Sequence, residues 1–157
     1  MMNKKTIEAM TSSKSDEWGT PKWLFDELDA EFHFTLDPCS THNNAKCKKH
    51  YTREENGLLQ DWSGETVFCN PPYSRATKEN PGQVAWVRKC YEESRKKNTT
   101  IVALLPSRTD TALFHHYILG KAEIRFLRGR ISFEENGEAR GKPLFGSMVC
   151  IWRNSDA

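Results

Sequence analysis

The run Thr66-Val67-Phe68-Cys69, followed by Asn70-Pro71-Pro72-Tyr73, constrains this chain more than any other stretch. Its first four residues favour a buried strand. The two prolines end that strand, because neither has an N–H and each restricts the backbone before it. A strand stopped in this way delivers the Asn70 side chain to its carboxyl end, which in open α/β sheets is where ligands bind. An amide oxygen, backbone carbonyls without local partners and a tyrosine ring then come together. Such a set can accept both hydrogens of a planar exocyclic amine while the ring stacks on the base that carries it. An adenine turned out of its helix presents that amine. Taken alone, the same residues also describe a proline-terminated strand with a surface tyrosine, so the rest of the sequence has to decide.

A chain of 157 residues fits one compact domain with a respectable core. Hydrophobic residues at 37% and charged residues at 28% are ordinary for a globular protein. A net charge of +2 neither demands nor excludes nucleic acid, since a local basic face matters more than the total. No apolar run reaches membrane-spanning length and the N-terminus lacks a signal-peptide core, so no membrane is expected. Five cysteines, an odd number in a chain that needs no disulfides, point to a reducing cytoplasm. No obligate protein partner is called for.

Residues 1–16 are polar without sustained periodicity and read as a disordered tail, leaving 17–157 as the domain. Thr20-Pro21 reads as a helix start, Thr at the N-cap and Pro first, with Leu24, Phe25, Leu28 and Phe32 forming one apolar face. Phe34-Thr35-Leu36 reads as a strand ended by Asp37-Pro38-Cys39-Ser40. A short helix is expected over 43–48, and 50–61 is irregular around an Asn56-Gly57 turn. After the Asn-Pro-Pro-Tyr strand comes a polar loop at 74–80. Asn80-Pro81-Gly82-Gln83 opens a helix with Val84, Val87 and Tyr91 inward. A buried strand over 101–105 stops at Pro106, and Asp110 is placed to cap a helix ending near Gly120. Strands at 122–127, 130–133 and 145–152 complete the chain. Alternating strands and helices that end in adjacent strands predict an α/β fold whose sheet is mostly parallel with an antiparallel edge.

Asp37, at the end of an early strand, occupies the crossing where nucleoside cofactors lie in doubly wound sheets. It could bind an ammonium or a ribose hydroxyl, or simply turn the chain. The glycine-rich dinucleotide fingerprint and the phosphate-binding glycine loop are both absent, which argues against NAD, FAD and nucleotide triphosphatase chemistry. Cys39, His42, Cys47 and His50 are zinc-ligand types at short intervals. Because Cys39 already belongs to the Asp37 turn and the central spacing is tight, no metal is expected.

The order Trp18-Gly19-Thr20-Pro21, Leu36-Asp37-Pro38, Asp61-Trp62, Asn70-Pro71-Pro72-Tyr73 resembles the phage-type DNA N6-adenine methyltransferases. The likeness continues through Ala103-Leu104-Leu105-Pro106, Arg108-Thr109-Asp110 and Gly129-Arg130-Ile131-Ser132-Phe133, covering about residues 17–152. It implies a Rossmann-like class I methyltransferase sheet, S-adenosylmethionine as donor, DNA as substrate and, for a phage-encoded protein, the host cytoplasm. Carried onto this sequence, Trp18 and the Thr20-Pro21 helix start would lie near the donor. Asp37, Pro38, Cys39 and Ser40 would hold its amino-acid and ribose parts. Asp61 would accept from its adenine amine, with Trp62 or Leu59 on its ring. Asn70, Pro71, Pro72 and Tyr73 would hold the target base. The segment between Asp37 and Asn70 is shorter than two full strand–helix units, and Asn44, Glu54 and Glu55 all remain candidates for the acidic ribose ligand.

Phosphate contacts are expected from Arg75, Lys78, Arg108, Arg128 and Arg130, and base reading from the loops at 74–80 and 134–143. The same pocket fits other planar amines, namely cytosine N4, an RNA base or a protein glutamine. A non-catalytic nucleic-acid-binding domain is the remaining alternative; it leaves Asp37, Asp61 and Asn70 without a shared purpose.

Overall fold

The computed structural model describes residues 18–135 and 137–154; the segment expected as a tail lies outside them. In chain order the regular elements are helix α1 (Lys22–Phe32), strand β1 (Thr66–Cys69), helix α2 (Gly82–Ser94) and strand β2 (Thr100–Pro106). A π-helical turn (Phe114–Ile118) follows, then β3 (Glu123–Phe126), β4 (Phe133–Glu135), β5 (Glu138–Gly141) and β6 (Ser147–Arg153). The main sheet has the order β1-β2-β6-β3, and β4 and β5 form a separate hairpin.

β1 and β2 run parallel, and β6 runs antiparallel to both of its neighbours, β2 and β3. Two isolated bridges extend the sheet beyond β1: Leu36 pairs in parallel with Val67, and Asp37 in parallel with His50. Every segment but β6 therefore points the same way. The single reversed strand is not the outermost one, as an antiparallel edge would have it; β3 covers it.

The pleat sorts side chains onto two faces. Val67, Cys69, Ile101, Ala103, Leu105, Met148, Cys150 and Trp152 meet α2 through Trp86, Val87 and Cys90, and the π-helical turn through Phe114 and Ile118. Phe68, Val102, Leu104, Val149 and Ile151 meet α1 through Leu24, Phe25 and Leu28, together with Trp18, Ile131 and Phe133. The result is a three-layer α/β domain with a mixed sheet. β2 is buried along both faces from Ile101 to Pro106, as its unbroken apolar run requires.

Several local expectations are corrected. No helix forms over 43–48. Thr41 and Asn44 bond each other reciprocally, and Asp37 Oδ2 accepts from Lys46 N at 2.9 Å, which holds that segment in turns. Val84 is exposed; Val87 faces inward as expected, with Tyr91 half-buried against the core, and Trp86 and Cys90 complete that face. The turn before Phe114 is closed by Thr111 Oγ1 accepting from Phe114 N, not by Asp110. The strand expected over 130–133 begins only at Phe133, and the connection after it is the β4–β5 hairpin.

Candidate active site

Asn70 follows β1 at its carboxyl end, and its side chain is fixed by the distant Trp18–Thr20 segment and by nearby Tyr73. Its Nδ2 donates to Trp18 O at 2.5 Å and to Thr20 Oγ1 at 3.0 Å. Its Oδ1 accepts from the Tyr73 hydroxyl at 3.1 Å. Two acceptors on one side and a donor on the other leave a single sensible orientation of the amide. A carbonyl oxygen has two lone pairs, so Oδ1 keeps one acceptor position beyond the bond from Tyr73. The Tyr73 hydroxyl has a second acceptor, Leu104 O at 3.3 Å, and its one proton can serve either. Pro71 is buried and Pro72 half-buried, so the strand end is rigidly seated.

Thr20 does not cap α1. The helix starts at Lys22, with Pro21 as its N-cap, and Lys22 N donates to Glu134 Oε1 at 3.1 Å. The Thr20 side chain is 3% exposed and turned to Asn70. Gly19 exchanges both backbone bonds with Glu134 at 2.8 Å, which attaches the Trp18-Gly19-Thr20 segment to β4.

Tyr73 is not a free stacking plate. Its ring meets Phe133 and Phe145 edge-on, at 6.1 and 5.4 Å, and Trp18 meets the same two rings. Burial pushes the Tyr73 phenol far above its usual range, so it acts as a neutral hydroxyl. Two guanidiniums flank this aromatic box: Arg140 lies 4.0 Å from the Trp18 ring centre and Arg108 lies 5.7 Å from that of Phe145. Phe133 belongs to the Gly129-Arg130-Ile131-Ser132-Phe133 motif, Phe145 opens the last expected strand and Arg140 falls in the 134–143 loop, but the sequence assigned none of the three a place beside Asn70.

The Asp37 turn lies beside β1 at the same end. Asp37 is 4% exposed; Oδ2 accepts from Lys46 N and Oδ1 from Cys39 N. Burial raises its carboxyl to about 6, against the backbone bonds from Lys46 and Cys39 that favour the charged form. Pro38 is buried against Gly57, where an added Cβ would stand 2.1 Å from Pro38 O. The same Cβ would stand 3.2 Å from the Trp86 ring, so Trp86 packs on that glycine as well and joins the turn to α2. Ser40 N donates to Tyr51 O at 3.2 Å, while Ser40 Oγ is buried with no partner. Gln83 Nε2, in the first turn of α2, is buried and unpartnered as well. Burial holds the Cys39, Cys69 and Cys150 thiols well above their ordinary range, so none of them is prepared as a nucleophile.

Asp61 is not brought to this end. It precedes β1, is exposed, and bonds Lys96, Ser63 N and Ser63 Oγ; the Lys96 bond, with those from Ser63, holds its carboxyl low. Trp62 is fully buried, stacked on Trp86 at 6.4 Å, with Nε1 donating to Gly57 O. Asp61 is thus a surface ion-pair partner and Trp62 a core residue. Glu55 accepts from Thr52 N and Thr52 Oγ1, and Asn44 is engaged with Thr41. His42 and His50 bond each other at 2.9 Å, whereas Cys39 and Cys47 pack into opposite core clusters, so the four do not converge.

The expected phosphate-binding cations do share the Asn70 side. Arg75 and Lys78 lie on the loop after β1, Arg108 after β2, and Arg128 and Arg130 after β3; all five are exposed. Those three strands point the same way, so their following loops form one basic rim.

Residues 8–157 match the family model described as DNA N-6-adenine-methyltransferase (Dam). The match begins inside the segment read as a tail. Over 139 residues, 87% of this chain and 75% of the relative, the sequence is 34% identical to the DNA N-6-adenine-methyltransferase of Haemophilus phage HP1 (strain HP1c1). A shorter stretch of 65 residues, 37% of this chain and 71% of the relative, is 40% identical to the methyltransferase candidate YfdM of Escherichia coli (strain K12). With a family match over nearly its whole length and a long alignment to a phage enzyme of the same description, the chain belongs to the family of DNA N-6-adenine-methyltransferases (Dam).

Proposed function

We propose that the chain transfers the methyl group of S-adenosylmethionine to the N6 amine of adenine in DNA, with residues 17–157 as a methyltransferase domain built on a Rossmann-like class I sheet. The target base is held at Asn70-Pro71-Pro72-Tyr73, and the donor between the Asp37–Ser40 turn and the first turn of α2. The observation that carries this reading is the orientation of Asn70. Its amide nitrogen is tied to Trp18 O and Thr20 Oγ1, so its oxygen is presented as the acceptor.

The exocyclic amine of adenine is a weak nucleophile because its lone pair is delocalised into the purine. Asn70 Oδ1 and Pro71 O can accept its two hydrogens. As the nitrogen becomes tetrahedral and gains positive charge, both acceptors bind it more strongly than in the ground state, and that difference accelerates the reaction. The Tyr73 hydroxyl can turn its proton to Leu104 O and free an Asn70 lone pair for the incoming amine. Because Asn70 is already fixed, little reorganisation remains when the base arrives.

The residues present suit the donor. S-adenosylmethionine supplies an electrophilic methyl on a sulfonium, beside a carboxylate, an ammonium and a nucleoside. Ser40 Oγ, on the Asp37–Ser40 turn, and Gln83 Nε2, in the first turn of α2, are buried polar atoms without partners, and each could donate to the carboxylate or the nucleoside. Asp37 shapes the turn that carries Ser40, and its carboxylate would hold the donor's ammonium. Glu54 and Glu55, on the segment after the Asp37–His50 bridge, and Asn44 before it remain the candidates for the ribose hydroxyls. DNA approaches along the basic rim of Arg75, Lys78, Arg108, Arg128 and Arg130.

Nucleoside analysis tests this reading. Unmethylated DNA is incubated with the protein and S-adenosylmethionine, digested, and examined by mass spectrometry. The expected product is N6-methyldeoxyadenosine. N4-methyldeoxycytidine would overturn the base assignment, and failure to bind the donor would overturn the reading altogether. Asn70→Ala should lower kcat by at least about a hundredfold, as loss of a positioned transition-state acceptor does, with donor affinity retained. Equal loss of donor binding would make Asn70 structural.

A further inference from the structure

The hairpin β4–β5 carries an irregularity that the proposed reaction does not by itself explain. Glu134 faces Ala139 and Phe133 faces Gly141, so Arg140 is the extra residue of a β-bulge. A bulge breaks the strict alternation of a strand and re-aims a side chain. Here it lays the Arg140 guanidinium 4.0 Å from the centre of the Trp18 ring. That side chain is only 12% exposed, and the Glu135 carboxylate stands 3.9 Å from it. A guanidinium shielded from water against an indole face is held far more firmly than one on an open surface.

Trp18 is not merely a core residue, because its carbonyl is one of the two acceptors that tie down the Asn70 amide. The next residue, Gly19, is locked to Glu134 through both backbone bonds, and there is no room for a side chain there: a Cβ would stand 2.5 Å from Glu134 O. Thr20, one residue on, supplies the second acceptor for Asn70. The segment holding Asn70 is thus fastened to the hairpin twice, along its backbone by β4 and over its indole by Arg140.

We propose that Arg140 is a positioning residue for Asn70, acting through the Trp18 ring, so that the seating of the β4–β5 hairpin sets the acceptor for the target amine. This rests on the assignment of Asn70 to the transferring site. Arg140 touches neither base nor donor in this role. It fixes the plane of Trp18, and the Trp18 carbonyl fixes the Asn70 amide. The contact depends on positive charge as well as shape, and that separates it from simple packing.

Two variants distinguish these possibilities. Arg140→Gln keeps a polar end but shortens the side chain and removes the charge; Arg140→Lys also loses the planar guanidinium but keeps a cation that can lie over the indole. In Arg140→Gln, kcat should fall about tenfold while the KM for DNA and the Kd for S-adenosylhomocysteine stay within about twofold of the parent. Arg140→Lys should recover most of the lost kcat. The Asn70 side-chain amide resonances, identified by their loss in Asn70→Ala, should shift or broaden in Arg140→Gln and return in Arg140→Lys. A raised KM for DNA at unchanged kcat would make Arg140 a phosphate contact and overturn the proposal, as would equal impairment of the two variants. The resonance readout needs no turnover. An unsubstituted chain that makes no N6-methyldeoxyadenosine would therefore defeat the proposed function while the tie between Arg140 and Asn70 is still decided.

Discussion

Replacing Thr20 by valine removes one hydroxyl at nearly constant shape and separates two roles for the Trp18-Gly19-Thr20-Pro21 motif. The sequence places Thr20 against the donor, whereas the structure turns its Oγ1 to Asn70 Nδ2 at 3.0 Å and buries it to 3% exposure. In Thr20→Val, Asn70 keeps the bond to Trp18 O and loses the other, leaving one amide hydrogen buried without a partner. A neutral bond of this kind contributes about 1 kcal/mol net, and the orphaned hydrogen raises the cost to about 1–2 kcal/mol. For a domain of this size that corresponds to a fall in Tm of about 3–6 °C. The same 1–2 kcal/mol, taken from the orientation of the acceptor, slows transfer by about 5- to 30-fold. The assay is single-turnover formation of N6-methyldeoxyadenosine alongside calorimetric binding of S-adenosylhomocysteine. Thr20→Ser should keep both rate and affinity, because it retains the oxygen. An unchanged rate with weakened donor binding in Thr20→Val would refute the reasoning and return Thr20 to the donor site.

Two further predictions concern the frame of the site, beside those for Asn70 and Arg140. Gly19→Ala should cost about 2 kcal/mol or more in urea unfolding, because its Cβ would meet backbone oxygen at 2.5 Å; Gly64→Ala, with φ +78 but open space around it, should cost only about 1 kcal/mol. The Asp37 carboxyl stands at about 6 in the fold against 3.8 in the open chain, so the folded state binds more protons between those values and its stability falls as pH rises through them. Asp37→Asn lacks that loss, and the stability of the variant relative to the parent should improve by about 2 kcal/mol from pH 4 to pH 7; a flat difference would show that Asp37 is an ordinary carboxylate.

What the sequence made legible is what depends on local chemistry. The Thr66–Cys69 strand and its proline stop, the buried run of β2 and the apolar face of α1 all follow from residue type and period, and all three are present. The expected helix over 43–48 fails for a reason that is not local. The buried Asp37 carboxylate takes the Lys46 N–H, and the parallel bridge to His50 fixes the far end, so the segment returns to the sheet without a helix. This also explains how so short a stretch can join Asp37 to Asn70: its crossing is made of turns tied by side chains.

The site divides along the same line. Asn70 could be placed from its own neighbours, since prolines that end a strand fix where the preceding side chain goes. Asp61 could not, because an acid five residues ahead of a strand can face either way. Lys96, at the end of α2, holds it at the amino side of β1. Arg140 was harder still. Its position over Trp18 requires the bulge, and a bulge is set by the register between two strands rather than by the arginine or its neighbours. The residues that hold Asn70 in place therefore come from three separate stretches around Trp18, Tyr73 and Arg140. Their only common property is that the fold carries them to one end of the sheet. A substitution that slips the β4–β5 register by one residue would move Arg140 off the indole while leaving every motif in the sequence intact.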